Sequence, residues 1–361
     1  MSGPRLKVLM STGPLKDDDN PYLQQLVTGL SEQIDVEPLS WRAALFSRPD
    51  VFHVHWPEQL YRANGRAKTI VKRALSAILL ARLRARRVPV VWTLHDLASH
   101  EADRGVERLL HRALERMVTL RIYLNESEQN DPTRGVVILH GDYRAWLVEN
   151  GIDISPREPE RDVILFGWLR RYKRIESLIT AARDADATLT VTGRAIDADY
   201  ERSLRTVATE SPSTILDIRQ REEDDLAAEV LRHRIVCLPY PHMHNSGALI
   251  YALSVGRPVL ARRSPFNGEI VLEVGEQWLM LYDGELTAAI VREALGRISP
   301  AGLPDLSRRD WSTGIALHIA CYRALSAVGG RLPQSTIVRE LLDAEPAFAA
   351  HSAFNAPVQI L

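Results

Sequence analysis

Residues 242–261, HMHNSGALIYALSVGRPVLA, decide the fold. An apolar run, Ile235 to Leu238, leads towards them, and Pro239, Tyr240 and Pro241 stop a buried strand. A polar loop follows, His242 to Gly247. Ala248, Leu249, Ile250, Ala252, Leu253 and Val255 then predict a short apolar helix, which Gly256 and Pro258 end. Val259, Leu260 and Ala261 start the next strand. This strand, loop, helix and strand form one parallel α/β unit. It places Asn245, Ser246 and Gly247 at a helix N-terminus, where unpaired N–H groups and the helix dipole favour a phosphate. Gly247 lacks a Cβ, so a ligand can approach its backbone closely. Asn and Ser are equally ordinary helix caps, so the stretch fits a phosphate loop and a plain capped turn alike.

Working outward, the 361 residues are enough for two domains. With 45% apolar and 25% charged residues the chain has ample core. A net charge of −1 gives no general attraction to nucleic acid. Cys237 and Cys321 both lie in apolar runs, which points to buried free thiols rather than a disulfide. We expect a cytoplasmic chain, because no apolar run reaches the ~18 residues of a membrane span and the N-terminus is polar.

The first half repeats the α/β pattern. Leu6 to Met10 is a strand followed by Ser11-Thr12-Gly13-Pro14 and a helix at Tyr22 to Gln33. Asp50 to Trp56, DVFHVHW, is a strand with His53 and His55 on one side by its period of two. It ends in His55-Trp56-Pro57-Glu58, where open α/β sheets bind ligands. Val88 to Leu94, VPVVWTL, ends in His95-Asp96, a site suited to acid–base work. Between these strands, Arg62 to Arg87 holds nine basic residues and no carboxylate, with an apolar stripe near helical spacing. It fits a helix lying peripherally on anionic lipid. It fits slightly better a packed surface helix with a basic outer face, since it leads straight into a core strand.

Pro156 and Pro159 lie in a charged stretch, and Asn150 to Arg161 reads as an interdomain linker. The expected division is residues 1–150, 151–328 and a weakly patterned tail, 329–361. Val163 to Phe166 restarts the pattern and is followed by a basic loop, GWLRRYKR, Gly167 to Arg174. Thr188 to Val191 ends in Thr192-Gly193-Arg194. Two consecutive α/β domains with polar strand-end loops imply a cleft between them.

The second half, with GWLRRYKRIESLITAA, LTVTGR and CLPYPHMHNSGALIYALSVGRPVLARRSPFNGEIV, resembles the GT-B glycosyltransferases. FHVHWPE, VVWTLHDL and VILHGDY in the first half resemble bacterial exopolysaccharide glycosyltransferases of the xanthan mannosyltransferase type. The resemblance spans roughly Leu6 to Ala327. It implies two Rossmann-like domains with parallel sheets facing a central cleft: an acceptor domain first and a nucleotide-sugar donor domain second. It implies a nucleotide-diphosphate sugar as co-substrate, a glycan or glycolipid as acceptor and no separate cofactor. The diphosphate would meet Lys173, Arg170 or Arg171 and the Asn245, Ser246 and Gly247 backbone. Gly193, Arg194 and Glu269 are further donor contacts. The catalytic base would be Asp96, His95, His55 or Glu58, in that order.

Many retaining members of these families carry two Glu residues eight positions apart, where this chain has Met243 and Tyr251. An arginine usual in the basic loop is replaced by Trp168. Loss of the Glu pair favours inverting chemistry, and the basic loop makes a metal unnecessary. The rival expectations are a nucleotide-sugar epimerase and a non-catalytic nucleotide-sugar-binding protein of the same fold.

Overall fold

The computed structural model describes residues 5–15, 20–95, 105–127, 130–329, 332–352 and 355. It forms two units, residues 1–141 with 308–361, and residues 142–307. The strands of the first are β1 (Lys7–Met10), β2 (Asp35–Pro38), β3 (Val51–Val54), β4 (Val90–Leu94), β5 (Val118–Tyr123) and β6 (Gly135–Val137). They form one parallel sheet in the order β2-β1-β3-β4-β5-β6. Apart from the edge strand β2, DVEP, which is partly exposed, the strands are short, mostly apolar runs buried on both faces, as parallel sheets require. Alternate residues serve opposite sides. Val8, Met10 and Val51 pack against the helices Pro21–Ser31 and Trp311–Val328. Leu9, Phe52 and Val54 pack against Leu79, Leu80 and Leu83 of the Arg66–Arg86 helix.

The second unit holds β7 (Arg161–Phe166), β8 (Leu189–Thr192), β9 (Thr214–Asp217), β10 (His233–Leu238), β11 (Val259–Arg262) and β12 (Leu279–Tyr282). Its sheet is also parallel, in the order β12-β11-β10-β7-β8-β9. Read from the other edge, this is the Rossmann order 3-2-1-4-5-6, whereas the first sheet starts 2-1-3-4-5. Strand order reverses between β7 and β10 in one unit and between β1 and β3 in the other. Crevices at such reversals, outside the carboxyl ends of the strands, are where open α/β sheets bind ligands.

The units divide elsewhere than the sequence reading placed them. Residues 142–149 belong to the second unit: Tyr143 N–H donates to Ser254 Oγ (3.0 Å) and Arg144 donates to the Pro304 carbonyl (2.7 Å). The Asn150 to Arg161 stretch lies within that unit, tied by Arg257 to the Arg157 carbonyl (2.7 Å). Residues 308–328, expected in the second domain, belong to the first unit, and so does the stretch from 329 that was expected to be a weakly patterned tail. Ile315, Ile319, Tyr322 and Leu325 join the core of Tyr22, Leu26 and Leu30. Beyond them Ile337, Val338 and Leu341 bury one side of the Gln334–Ala344 helix in the same core. The edge strand β6 is then covered by side chains. Asn355 Oδ1 accepts from Val137 N–H (2.8 Å) and its Nδ2 donates to the Val137 carbonyl (2.7 Å). His351 Nε2 accepts from Leu139 N–H (2.9 Å). An unpaired edge is thereby closed without another strand.

Candidate active site

At the reversal in the second unit, β7 runs into Gly167 and the basic loop, and β10 into Pro239 and Tyr240. Lys173 ends a single 3₁₀ turn, Arg171–Lys173. Its side chain is 7% exposed and its Nζ stands 4.7 Å from the centre of the Tyr240 ring. Burial, and then the neighbouring charge of Arg170, pull its pKa down to about 7. Arg170 and Arg194 lie over the Trp168 ring, at 5.8 and 5.4 Å from its centre. Arg171 instead lies over Tyr200 (4.8 Å) and 3.7 Å from Asp197, an exposed pair. Lys173, Arg170 and Arg194 are thus held by aromatic partners at one edge of the sheet.

Ser246 caps the Gly247–Ser254 helix: its Oγ accepts from Leu249 N–H (3.2 Å) and it is 7% exposed. Both properties read from the sequence, cap and helix start, are therefore present. A Cβ on Gly247 would stand 3.1 Å from the Tyr143 hydroxyl, so the close approach is first of all to this chain's own tyrosine. Gly193 has φ of +139°, and a Cβ there would strike the Gly167 carbonyl at 1.9 Å. Its place is set by the crossing of the β7 and β8 ends. Asn245 and Glu269 are half-buried, the first in the loop before the helix and the second in the Pro265–Val274 helix. Met243 and Tyr251 are buried, Tyr251 with its ring 5.5 Å from Tyr143 and 5.6 Å from Phe166. The two positions that carry carboxylates in many retaining enzymes are packing positions here.

At the reversal in the first unit, the period of two holds: the His53 and His55 rings are 4.3 Å apart. His53 bonds Thr93 Oγ1 through Nε2 and the Tyr322 hydroxyl through Nδ1 (2.8 and 2.7 Å). His55 Nδ1 lies 3.0 Å from His95 Nε2, and His95 stacks on Trp56 with rings 4.1 Å apart. His140 and Trp311 complete the group around Tyr22. Burial lowers the pKa of His55 to about 3 and those of His140 and His318 to about 4. His53 and His95 are also held well below the ordinary value, by burial first and then by neighbouring imidazoles, His55 in both cases. These imidazoles are neutral at physiological pH. His55 is 1% exposed, and its Nε2 has no hydrogen-bond partner among the described residues. Asp96 lies outside the described residues.

Glu58 opens the Glu58–Tyr61 helix and lines an open cleft of ≈ 420 Å³. Ser11 and Gly13 after β1, Ser40 and Trp41 after β2, and Arg62 and Lys72 form the rest of its polar wall. Of these only Glu58 was singled out from the sequence. Ser11, Gly13, Ser40 and Trp41 follow strands far apart in the chain and the β2-β1-β3 order brings them together, while Arg62 and Lys72 come from the helical segment after β3. His318 and Tyr322 were missed because the Trp311–Val328 helix meets His53 only in the fold, and His140 was read only as a strand end. In the second unit Tyr240 was read only as a strand stop.

No family model matches the chain. It is 39% identical over 337 residues to a GDP-mannose:glycolipid 4-beta-D-mannosyltransferase of Xanthomonas campestris pv. campestris, covering 91% of this chain and 94% of that one. A second protein of that name from Xanthomonas campestris pv. campestris is 39% identical over 335 residues, with the same coverage. Among solved structures, Anabaena HepE with UDP and glucose matches with a TM-score of 0.56 at 16% identity, over 94% of this chain and 99% of that one. A Thermosynechococcus elongatus sucrose-phosphate synthase matches at 0.55 and 13%, over 94% and 100%. WaaG, a lipopolysaccharide glycosyltransferase, matches at 0.51 and 10%, over 99% and 100%. These structures share the fold; the first two relatives share the sequence along nearly its whole length. The chain is a GT-B-fold glycosyltransferase and belongs to the family of the GDP-mannose:glycolipid 4-beta-D-mannosyltransferases.

Proposed function

We propose that the chain transfers mannose from GDP-mannose to a sugar hydroxyl of a glycolipid, with inversion and without a metal ion. The observation that carries the donor site is buried Lys173 at the β7/β10 reversal, with Arg170 beside it. A lysine poised at about 7 becomes fully charged when a diphosphate binds, and the charge then stabilises the leaving group. That cation and the Ser246-Gly247 helix start supply the neutralisation a metal would otherwise provide. Arg194 and Glu269 stand for contacts to nucleotide or sugar.

Inversion is supported twice. Met243 and Tyr251 place apolar packing where retaining relatives carry carboxylates. The relatives are named for a 4-beta linkage, and GDP-mannose carries its sugar in the α configuration. An inverting transfer needs one base on the acceptor hydroxyl. Asp96 is our first candidate, from its place after β4. Glu58, lining the cleft, is next among the described residues. His95 is half-buried, and His55 holds it from behind.

We place its action at the cytoplasmic face of the membrane that carries the glycolipid, as a reading that follows from the proposed acceptor. Among the described residues no helix is long and apolar enough to cross a membrane. The test incubates the protein with GDP-mannose, other nucleotide sugars and a lipid-linked glycan, with and without EDTA, and assigns the product anomer by proton NMR. A β-mannoside formed from GDP-mannose in EDTA is expected. An α product, or activity that EDTA removes and Mg²⁺ restores, overturns the corresponding part. Donor interconversion without acceptor would indicate an epimerase, and binding without slow donor hydrolysis a non-catalytic protein.

A further inference from the structure

The Arg66–Arg86 helix has two apolar faces, and the first unit's core uses one. Leu79, Leu80 and Leu83 are buried under the sheet. On the other side Ala67, Ile70, Val71, Ala74, Ile78 and Ala81 are exposed, with Ile70 at 66%, Val71 at 58% and Ile78 at 51%. At about 100° per residue these six fall in an arc roughly 100° wide. The sequence led us to prefer a basic outer face; the outer face is apolar. The basic residues stand at its edges: Arg66 and Arg84 on one side, Lys68 and Arg86 on the other. All four are exposed, and none makes an ion pair among the described residues.

Two helices packed against this one also expose apolar side chains. Glu107 ties the Val106–Glu115 helix to Arg62 and Arg73 (3.1 Å for Arg73). That helix exposes Val106 at 53% and Leu109 at 65%. On the far side Arg82 donates to the Ala44 carbonyl (2.6 Å), and Phe46, two residues on, is 76% exposed. An exposed apolar stripe of this kind, rimmed by charge, marks an interaction surface rather than a wetted helix.

We propose that this face docks on an anionic lipid bilayer, with its Ile and Val side chains at the headgroup–acyl boundary and its basic edges on the headgroups. The charge pattern selects this occupant. A stripe of Ala, Ile and Val between two basic edges, with no carboxylate from Arg62 to Arg87, complements an anionic plane. A second copy of the chain would set like charges against each other. Lys72, on the inner side of the same helix, lines the ≈ 420 Å³ cleft, so docking would hold that cleft roughly 10 Å, one helix diameter, from the headgroups. The purpose of this docking rests on the glycolipid reading; its geometry does not.

The experiment mixes the full chain with phosphatidylglycerol–phosphatidylcholine vesicles that contain neither glycolipid nor nucleotide. Co-sedimentation is expected at low salt and should fall steeply at roughly 0.5 M salt, where the Debye length is a few ångströms. Ile70→Asp with Ile78→Asp should weaken vesicle binding at least about tenfold at every salt concentration, because the inserted surface is lost. Lys68→Glu with Arg86→Glu should weaken it about fivefold or more per site at low salt. Both variants should keep wild-type GDP affinity and transfer to a detergent-solubilised acceptor, which shows that they fold. A wild-type chain that stays in the supernatant at low salt overturns the proposal. So does an Ile70→Asp, Ile78→Asp chain that binds as before, or a wild-type dimer that this variant dissociates. Vesicle binding without any transferase activity would instead overturn the functional reading alone.

Discussion

His55 and Lys173 occupy corresponding places, each at the carboxyl end of a strand beside the reversal of its sheet, and each is buried. Desolvation has moved both pKa values down, to about 3 for the histidine and about 7 for the lysine. The difference lies in the distance to physiological pH. Lys173 stands at the point where an arriving anion can recharge it. His55 and its buried neighbours lie far enough below that pH to be neutral. One switch point thus holds a cation whose charge a bound anion would restore, as the proposed diphosphate would, and the other holds an uncharged group of imidazoles and aromatic rings. The same physical effect serves two purposes because the groups start from different pKa values.

The comparison breaks first at low pH. His55, His140 and His318 are neutral in the folded chain and protonate near 6.5 when unfolded. Their folded pKa values are depressed, so the stability they allow is present above pH 6.5 and lost as pH falls towards 4. Each contributes up to about 1.4 kcal/mol per pH unit, so the three together cost on the order of 5 kcal/mol at pH 5. Thermal melts from pH 7.5 to 4.5 should show a steep fall below 6.5, reduced in His318→Gln. A flat profile would mean that the cluster is protonated in the folded state.

Catalysis gives the next largest effect. Asp96→Asn should keep GDP affinity and lose on the order of 10²–10⁴-fold in turnover, if the carboxylate takes the acceptor proton. Asn is itself a good cap, so a merely structural aspartate would leave rate and melting temperature near normal. Normal turnover would pass the role to Glu58 first and to His95 next, and Glu58→Gln would then be the measurement.

The donor end is sharpened by Lys173. Lys173→Ala should weaken GDP by about 1.5–3 kcal/mol, as expected for a charge-assisted contact. Lys173→Arg separates charge from pKa. In the wild type the free lysine loses its proton above about pH 7, so affinity should fall by up to tenfold per pH unit from there. An arginine stays charged, and its profile should be flat over the same range. Equal slopes for the two proteins, by calorimetry, would remove Lys173 from the diphosphate.

Much of this frame was legible in the sequence, because parallel strands are short apolar runs and each ends in a recognisable polar loop. Val51 to Val54, Val163 to Phe166 and Leu279 to Tyr282 announce themselves this way. The return of the chain after residue 307 was not legible. The Trp311–Val328 helix is apolar enough to pack on either sheet, and nothing local in it names Tyr22 and His53 as its partners. The loops proposed for the donor were readable as candidates because Lys173, Ser246 and Gly247 lie in two compact motifs. The cleft at Glu58 was not, because Ser11, Trp41 and Lys72 become neighbours only through strand order. The outer face of the basic helix was misread because composition shows how many arginines a helix holds and not which side they take.

The smallest effect separates two readings that the sequence left together at Ser246. As a cap, its Oγ accepts from Leu249 N–H, and Ser246→Ala should cost about 1 kcal/mol of stability. As part of a phosphate site, it would also meet the diphosphate, and the helix N–H groups around it would bind the anion. Ser246→Asp distinguishes them. Aspartate is as good a cap as serine, and its charge suits the positive end of the helix dipole, so stability should be kept or raised by a few tenths of a kcal/mol. The same charge would repel a diphosphate at that helix start. If the site is there, Ser246→Asp should bind GDP at least about tenfold more weakly while melting at or above the wild-type temperature. If Ser246 only caps the helix, Ser246→Asp should bind GDP as the wild type does. Ser246→Ala should then lower the melting temperature and nothing else. Melting and GDP titration on the two variants test whether the second contact to the diphosphate, beside Lys173, is this helix start, with Arg170 and Arg194 around Trp168 as the alternative to be replaced next.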